Sequence, residues 1–389
     1  MRVLFIVNSL RVGGAEKMVC HLARRYHELG LHAEVGCLDD MGTLGQQLCE
    51  SGIPVAVYGR KPGFDVGLPL RMARHIRRQR FDVVHAHQST GYVYGVLAKL
   101  FVPRPFVFTE HGRHYPDLPS WKRQCFNRAL QYLVNRTTAV SAEVRDALVN
   151  VEKFSRQRIG VIQNGIEVSE CERFVEADKA DLRRQVGLPT DRRILGTVSR
   201  LDPIKNQRLL IHAVARLRKE CPEALLVFVG EGSERSRLER CSRDLNVEEH
   251  VVFLGMRQDV ARLLPCFDVF VLTSLNEGVP MSVLEAIAAR VPIVSTAVGG
   301  IPDLLADERG VLVRMEPVDS FASDDPMPKA WVESYATSLT TLLADPVRVD
   351  RITGNAVEYI RQRFSVESIA KQYLQLYEQL VPRSVPTHV

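Results

Sequence analysis

Eight cysteines are scattered along the chain, and none stands in a Cys-x-x-Cys pair or beside a histidine-rich segment. That scatter excludes a disulfide framework and a structural zinc site, and it fits a reducing cytosol. Long apolar runs are missing too. The longest, from Tyr92 to Phe108, is broken by Lys99, Arg104 and two prolines, which excludes a bilayer-spanning helix. Met1 leads straight into an apolar strand, so no signal peptide is expected, and any membrane contact would be peripheral. In a cytosolic setting the glycosylation sequon Asn135-Arg136-Thr137 is idle. Short repeats and low-complexity segments are absent, and only the tail after Pro382 has the composition of disorder. Aromatic residues make up 7% and are not interleaved with basic ones, which argues against nucleic acid as a partner. Neither Gly-x-Gly-x-x-Gly nor a Walker sequence occurs, so the common dinucleotide and P-loop fingerprints are excluded.

What is present is enough apolar material for two cores. The chain has 389 residues, 46% hydrophobic and 25% charged. That length predicts two domains. The net charge of +5 is unevenly placed: residues 1–166 hold 23 Lys/Arg against 13 Asp/Glu, and the remainder holds 28 against 33. Basic residues gather at Arg71, Arg74, Arg77, Arg78 and Arg80, and again at Lys122, Arg123 and Arg128. Such a surface suits an anionic membrane. Solvated helix faces on a slightly basic protein would carry the same residues.

Strand-like and helix-like pieces alternate from the start. Val3 to Val7 is a short, fully apolar, largely β-branched run, as expected of a strand buried on both faces of a parallel sheet. After Gly13-Gly14, the spacing predicts a helix over Ala15 to Glu28, with Met18, Leu22 and Tyr26 on one face and Gly30 past its C-terminus. Further strands are predicted at Val35–Leu38, Val55–Tyr58, Asp82–Ala86, Phe106–Thr109 and Thr138–Val140. Glu167 to Asp191 is charged and poor in large apolar groups, so the inter-domain connection is placed there. The rhythm restarts with a strand at Ile194–Ser199 and a helix over Asn206–Lys219. Strands follow at Leu225–Gly230, Val251–Leu254, Val269–Thr273, Ile293–Ser295 and Val311–Val313. From Trp331 to Leu380 the pattern is helical, and the last helix, Ser368–Leu380, has Ile369, Tyr373, Leu376 and Leu380 on one stripe. The fold class is therefore α/β, with two doubly wound Rossmann-like domains, 1–168 and 169–364, expected to face each other across a cleft. Open parallel sheets bind ligands beyond the carboxyl ends of their strands, so the chemistry is sought in the loops that follow strands.

Four such loops stand out. In Asn276 to Ala286, Glu277 lies in the loop after a strand, a helix starts at Pro280 or Met281, and Glu285 sits a turn inside it. Amides at that helix start suit anionic groups, and a carboxylate can accept from both hydroxyls of a vicinal diol such as ribose. Eight-residue spacing on its own would also fit an unrelated loop acid and helix acid. In Ser199 to Asn206, a strand delivers Arg200 to its end, and Lys205 is expected to start the next helix. Two cations there can hold a pyrophosphate and stabilise its departure, though a solvated turn would have the same composition. In Asn8 to Glu16, Gly13 and Gly14 let the backbone approach a ligand, or simply start a helix. In Phe108 to Arg113, His111 ends a strand and is placed to donate to a sugar hydroxyl, with His85 and His87 adding to a polar rim. No carboxylate–histidine spacing and no Asp-x-Asp supports a metal there.

In this order (Gly13-Gly14, His111, Arg200 and Lys205, Glu277 to Glu285) the residues resemble retaining glycosyltransferases of family four, with the two-domain GT-B fold and the Glu-seven-Glu motif. Asn164-Gly165-Ile166 looks familial as well. The resemblance implies that Arg200 and Lys205 bind the donor diphosphate and that Glu285 holds the ribose. It implies that Glu277 faces the donor sugar, with amides around Gly278, Val279 and Met281 on the sugar hydroxyls. His111 would contact the donor sugar from the N-terminal domain, Gly13 and Gly14 would pass close to the diphosphate and the acceptor, and Arg257 would line the base. The helix at 365–381 would pack back on the N-terminal, acceptor-binding domain, leaving 169–364 as the donor-binding domain. No cofactor and no metal are expected. The implied donor is a UDP- or GDP-sugar, the transfer is of hexosyl type, and the acceptor is a sugar or lipid-linked molecule in surface polysaccharide or glycolipid synthesis. The implied location is cytoplasmic, with a possible peripheral hold on the membrane. Pro280 has no N–H, so an amide contact that a relative makes there is missing. Two other readings fit the same plan: a nucleotide-sugar 2-epimerase or phosphorylase-like enzyme, of which the epimerase would act without acceptor, and a non-catalytic nucleotide-sugar-binding subunit.

Overall fold

The computed structural model describes residues 1–11, 13–112, 120–315 and 325–381. The chain divides into two compact units, Met1–Ile166 with Arg363–Val389, and Glu167–Gln362.

The first unit is built on β1 (Arg2–Val7), β2 (His32–Cys37), β3 (Val55–Val57), β4 (Val83–His87), β5 (Phe106–Glu110), β6 (Arg136–Ala139) and β7 (Ile159–Val161). Their order is β3-β2-β1-β4-β5-β6-β7, and every pair is parallel. β1 shows why an unbroken apolar run was needed. Val3, Phe5 and Val7 pack under the helices Gly14–Glu28 and Val366–Leu380, while Leu4 and Ile6 join the core under Leu68–Arg78 and Gln88–Lys99. Most strands shift by only one or two residues from the sequence reading, and two differ more. β7 was missed because it is three residues long with a glycine at its centre. β2 starts three residues early because Glu34, a residue ill-suited to a buried strand, is satisfied there by His75 Nε2 at 2.9 Å.

The second unit has β8 (Arg193–Val198), β9 (Ala224–Val229), β10 (Val251–Phe253), β11 (Val269–Leu272), β12 (Ile293–Thr296) and β13 (Val311–Val313), all parallel, in the order β10-β9-β8-β11-β12-β13. The charged segment after Glu167 is not a loose connection. It forms the helices Val168–Glu172 and Lys179–Val186, which belong to this unit. Charge pairing replaces apolar burial there. The buried Arg183 donates to the Cys266 carbonyl and to Asp268 Oδ2 at 2.7 Å, and Lys179 reaches Asp268 Oδ1 at 2.9 Å. Burial alone would raise the Asp268 carboxyl, but Lys179, the Ile194 amide and Arg183 hold it below its ordinary value.

Both sheets share one topological feature. The chain leaves β1 toward β2 and later crosses to β4 on its other side; it leaves β8 toward β9 and later crosses to β11. At such a switch the loops diverge and open a crevice beyond the carboxyl ends.

Candidate functional site

In the second unit the switch brings together the loops after β8 and β11. After β8, Pro203–Lys205 form a short 3-10 turn, and Asn206, at φ +48°, sets the chain left-handed before the helix Arg208–Leu217. Lys205 therefore closes a turn instead of starting a helix. Thr273, just past β11, donates its hydroxyl to the carbonyls of Lys205 and Asn206, and the Leu275 amide donates to the Ile204 carbonyl at 2.8 Å. The two loops are thus stitched together by backbone acceptors. The outcome is an ion pair between Lys205 Nζ and Glu277 Oε1 at 2.5 Å, with both side chains mostly buried. The Ser274 hydroxyl donates to the same oxygen at 2.6 Å. Sequence reasoning did not single out Ser274; its only signal was its place in the strand-to-loop turn.

Glycines elsewhere let the neighbouring loops close on this pair. A Cβ on Gly299, at φ +54°, would lie 1.7 Å from the Glu277 carbonyl oxygen, and the Gly300 amide donates to the Gly278 carbonyl at 3.1 Å. Gly230, at φ +138°, lies against the Ser199 carbonyl in the same way. Met281–Ala288 is the helix that follows, capped by Pro280 in an extended conformation. Gly278, Val279 and Met281 precede or open it, and Glu285 lies one turn in, 8% exposed. Arg200 is the outlying member. Its side chain is 74% exposed and rests on Asp202 Oδ2 at 2.9 Å. Arg257 is clamped by both oxygens of Asp259, at 2.8 and 2.7 Å, which raises the guanidinium further and lowers the carboxyl.

In the first unit, Gly13 caps the helix Gly14–Glu28 in extended conformation, and a Cβ on it would meet the Glu16 carboxylate. Across the β1–β4 switch, Asn8 donates to Gln88, which donates to Glu16 Oε1 at 3.2 Å. His111, just past β5, is wired on both nitrogens: Nδ1 to Asn164 Oδ1 at 3.0 Å and Nε2 to His87 Nδ1 at 2.7 Å. The acceptor oxygen of Asn164 calls for an N–H at His111 Nδ1, so the neutral ring takes its second bond from His87 Nδ1–H. Burial pushes His111 down to about 4, opposed by Asn164, and holds His87 well below its usual value. The expected polar rim is corrected, because His85 and His87 are both fully buried. His85 is fully buried between Tyr377 and Thr109, at 2.5 and 2.7 Å, and is part of the core. His111 also has no unengaged ring N–H with which to donate to a sugar.

Among the described residues, no group of three or more His, Cys, Asp or Glu side chains gathers as a metal set, and no helix is long and apolar enough to cross a membrane.

Comparison with known proteins covers both units. Residues 12–170 match Glycosyltransferase Family 4, and residues 178–324 match Glycosyl transferases group 1. The chain is 30% identical to the putative glycosyltransferase EpsD of Bacillus subtilis (strain 168), over 65% of this chain and 68% of EpsD. It is 28% identical to the UDP-Gal:alpha-D-GlcNAc-diphosphoundecaprenol alpha-1,3-galactosyltransferase of Escherichia coli, over 63% of this chain and 66% of that protein. Among solved structures, Anabaena Alr3699/HepE in complex with UDP and glucose is similar with a TM-score of 0.82 and 26% identity, covering 98% of this chain and 100% of the other.

Proposed function

Because this chain belongs to the family-four glycosyltransferases of the GT-B fold, we propose that it transfers a hexosyl group from a nucleotide sugar to an acceptor with retention of anomeric configuration. The observation that carries this reading is the Lys205–Glu277 pair at the β8–β11 switch. Lys205 and Arg200 meet the donor diphosphate and stabilise its departure, and the amides that open the helix at Met281 add their dipoles. These groups take the neutralising role that a metal has elsewhere. Glu285 accepts from the ribose hydroxyls, and Glu277 attends the sugar. Gly278, Val279 and Met281 offer amides to it; Pro280 offers none. Arg200 swings from Asp202 to the diphosphate. Arg257, held flat by Asp259, lines the base. Leaving group and acceptor share one face in an ion-pair-like complex. UDP is the first donor base to try, since HepE was solved with UDP and glucose.

Glu277→Ala, Arg200→Ala and Lys205→Ala should each lower kcat/KM by about a hundredfold or more, with activity unaffected by a chelator. Near-normal turnover in all three would sink the assignment. An inverted product would sink retention. A thermal-shift screen of UDP, GDP and ADP sugars selects the donor. Product from donor alone, with the sugar epimerised, would favour the epimerase reading.

For the acceptor, the proposal is a membrane-borne molecule in surface polysaccharide or glycolipid synthesis. The helix Leu68–Arg78 carries four arginines and no acid. Arg74 and Arg78 stand exposed, with Leu70 on the same side. Flotation with anionic vesicles should show binding that fades at high salt. No salt-sensitive binding would remove the membrane idea.

A further inference from the structure

Glu277 is held by one of its two oxygens. Oε1 receives Lys205 Nζ at 2.5 Å and the Ser274 hydroxyl at 2.6 Å, while Oε2 has no protein partner among the described residues. We propose that Ser274 is a positioning residue for Glu277, tying off Oε1 so that Oε2 is presented to the hydroxyls of the donor sugar. The proposal rests on the reading of Glu277 as the group that attends that sugar.

The two donors on Oε1 differ in kind. Lys205 is a flexible stem ending in a point charge, and a bound diphosphate competes for that charge. Ser274 is fully buried and stands on a fixed frame. Its carbonyl accepts the Thr296 hydroxyl at 2.7 Å, and its neighbours Thr273 and Leu275 are bonded to the Lys205 turn. A serine hydroxyl has one proton. Given to Glu277, that proton is not available to a ligand, so Ser274 acts through the glutamate. When phosphate oxygens draw Lys205 away, the Ser274 bond is what keeps the carboxylate in its rotamer. Short bonds to a carboxylate are the strong class of hydrogen bond, enough to hold that orientation.

The test compares Ser274→Ala and Ser274→Thr, each alone and with Glu277→Ala, using UDP and UDP-glucose as probes. Ser274→Ala removes a single oxygen, and an unchanged Tm checks that the fold is kept. It should bind UDP within about twofold of wild type yet lose about tenfold to a hundredfold in kcat. Ser274→Thr should recover to within about threefold of wild type. In the Glu277→Ala background, where no carboxylate is left to position, adding Ser274→Ala should cost nothing more, whereas a loss through general disturbance would persist there. Wild-type turnover in Ser274→Ala, an equal loss of UDP affinity, or a loss that survives in Glu277→Ala would each overturn the proposal. If wild type bound UDP but turned over no sugar, the transferase reading would fail instead. The Ser274 role would then be decided by calorimetry: Ser274→Ala weakening UDP-glucose relative to UDP supports it, and equal weakening or none overturns it.

Discussion

Lys205 and Glu277 are 72 residues apart, and each carries a charge that would be expensive to bury alone. Their meeting is a consequence of sheet order, yet it decides what both can do: the cation proposed for phosphate starts out shared with the carboxylate proposed for sugar. Histidine shows the same dependence on neighbours. His111 is neutral at pH 7, with its pKa lowered to about 4 chiefly by burial. In the unfolded chain an imidazole titrates near 6.5, so below that pH the unfolded state takes up a proton that the native state refuses. Stability is therefore full above about pH 6.5 and is lost as pH falls toward 4, by on the order of 1–3 kcal/mol for this residue. His87, lowered in the same direction, adds to the slope. Thermal unfolding at half-unit steps should show Tm falling between pH 6.5 and 4.5, and His111→Asn should flatten that slope. An unchanged slope in the variant would mean that His111 is protonated in the native state.

Loops and helix starts decide the site at the next scale. The turn Ser274–Pro280 is fixed from three directions: by the Ile204–Asn206 turn, by Thr296, and by the close approach of Gly299 to the Glu277 carbonyl. Gly299→Ala places a methyl where a carbonyl oxygen now sits and asks an L-residue to hold φ +54°. The loop must shift, so kcat/KM should fall at least about tenfold while UDP-independent stability drops by only about 1–2 kcal/mol. Steady-state kinetics beside a denaturant titration checks this; a fully active Gly299→Ala would mean that the position of Glu277 does not matter to turnover. At this scale the strands were legible because parallel, doubly buried strands must be apolar throughout. The helices at Val168–Glu172 and Lys179–Val186 were not, because charged partners such as Asp268 do there what apolar side chains do elsewhere. The left-handed Asn206 was also hidden, since a turn and a helix start share their residue types.

At the scale of the whole molecule, the chain returns to its first unit at the end. Tyr377 bonds His85, Tyr373 reaches Thr109, and Tyr26 donates to the Ala370 carbonyl, all in the core beside β1. Ending the chain after Arg363 would expose this core, so hydrogen-exchange protection should collapse in β1 and β4 and persist in β8 and β11. Protection retained in β1 would show the helix to be dispensable. Tyr377→Phe is the milder counterpart, leaving His85 Nδ1 unsatisfied at about 1–3 kcal/mol. Composition and periodicity by themselves determined that there are two doubly wound halves, where most strands lie, and which loops carry Gly13, His111, Arg200, Lys205, Glu277 and Glu285. Those follow from local rules, because burial on both faces dictates apolar runs and turns dictate glycine. Only the tertiary structure decided that Lys205 pairs with Glu277, that Ser274 stands behind them, that His85 is core and that His111 has no ring N–H to give. Each of these depends on which strands are neighbours and which side chains compete for one proton, and spacing along a chain does not specify either.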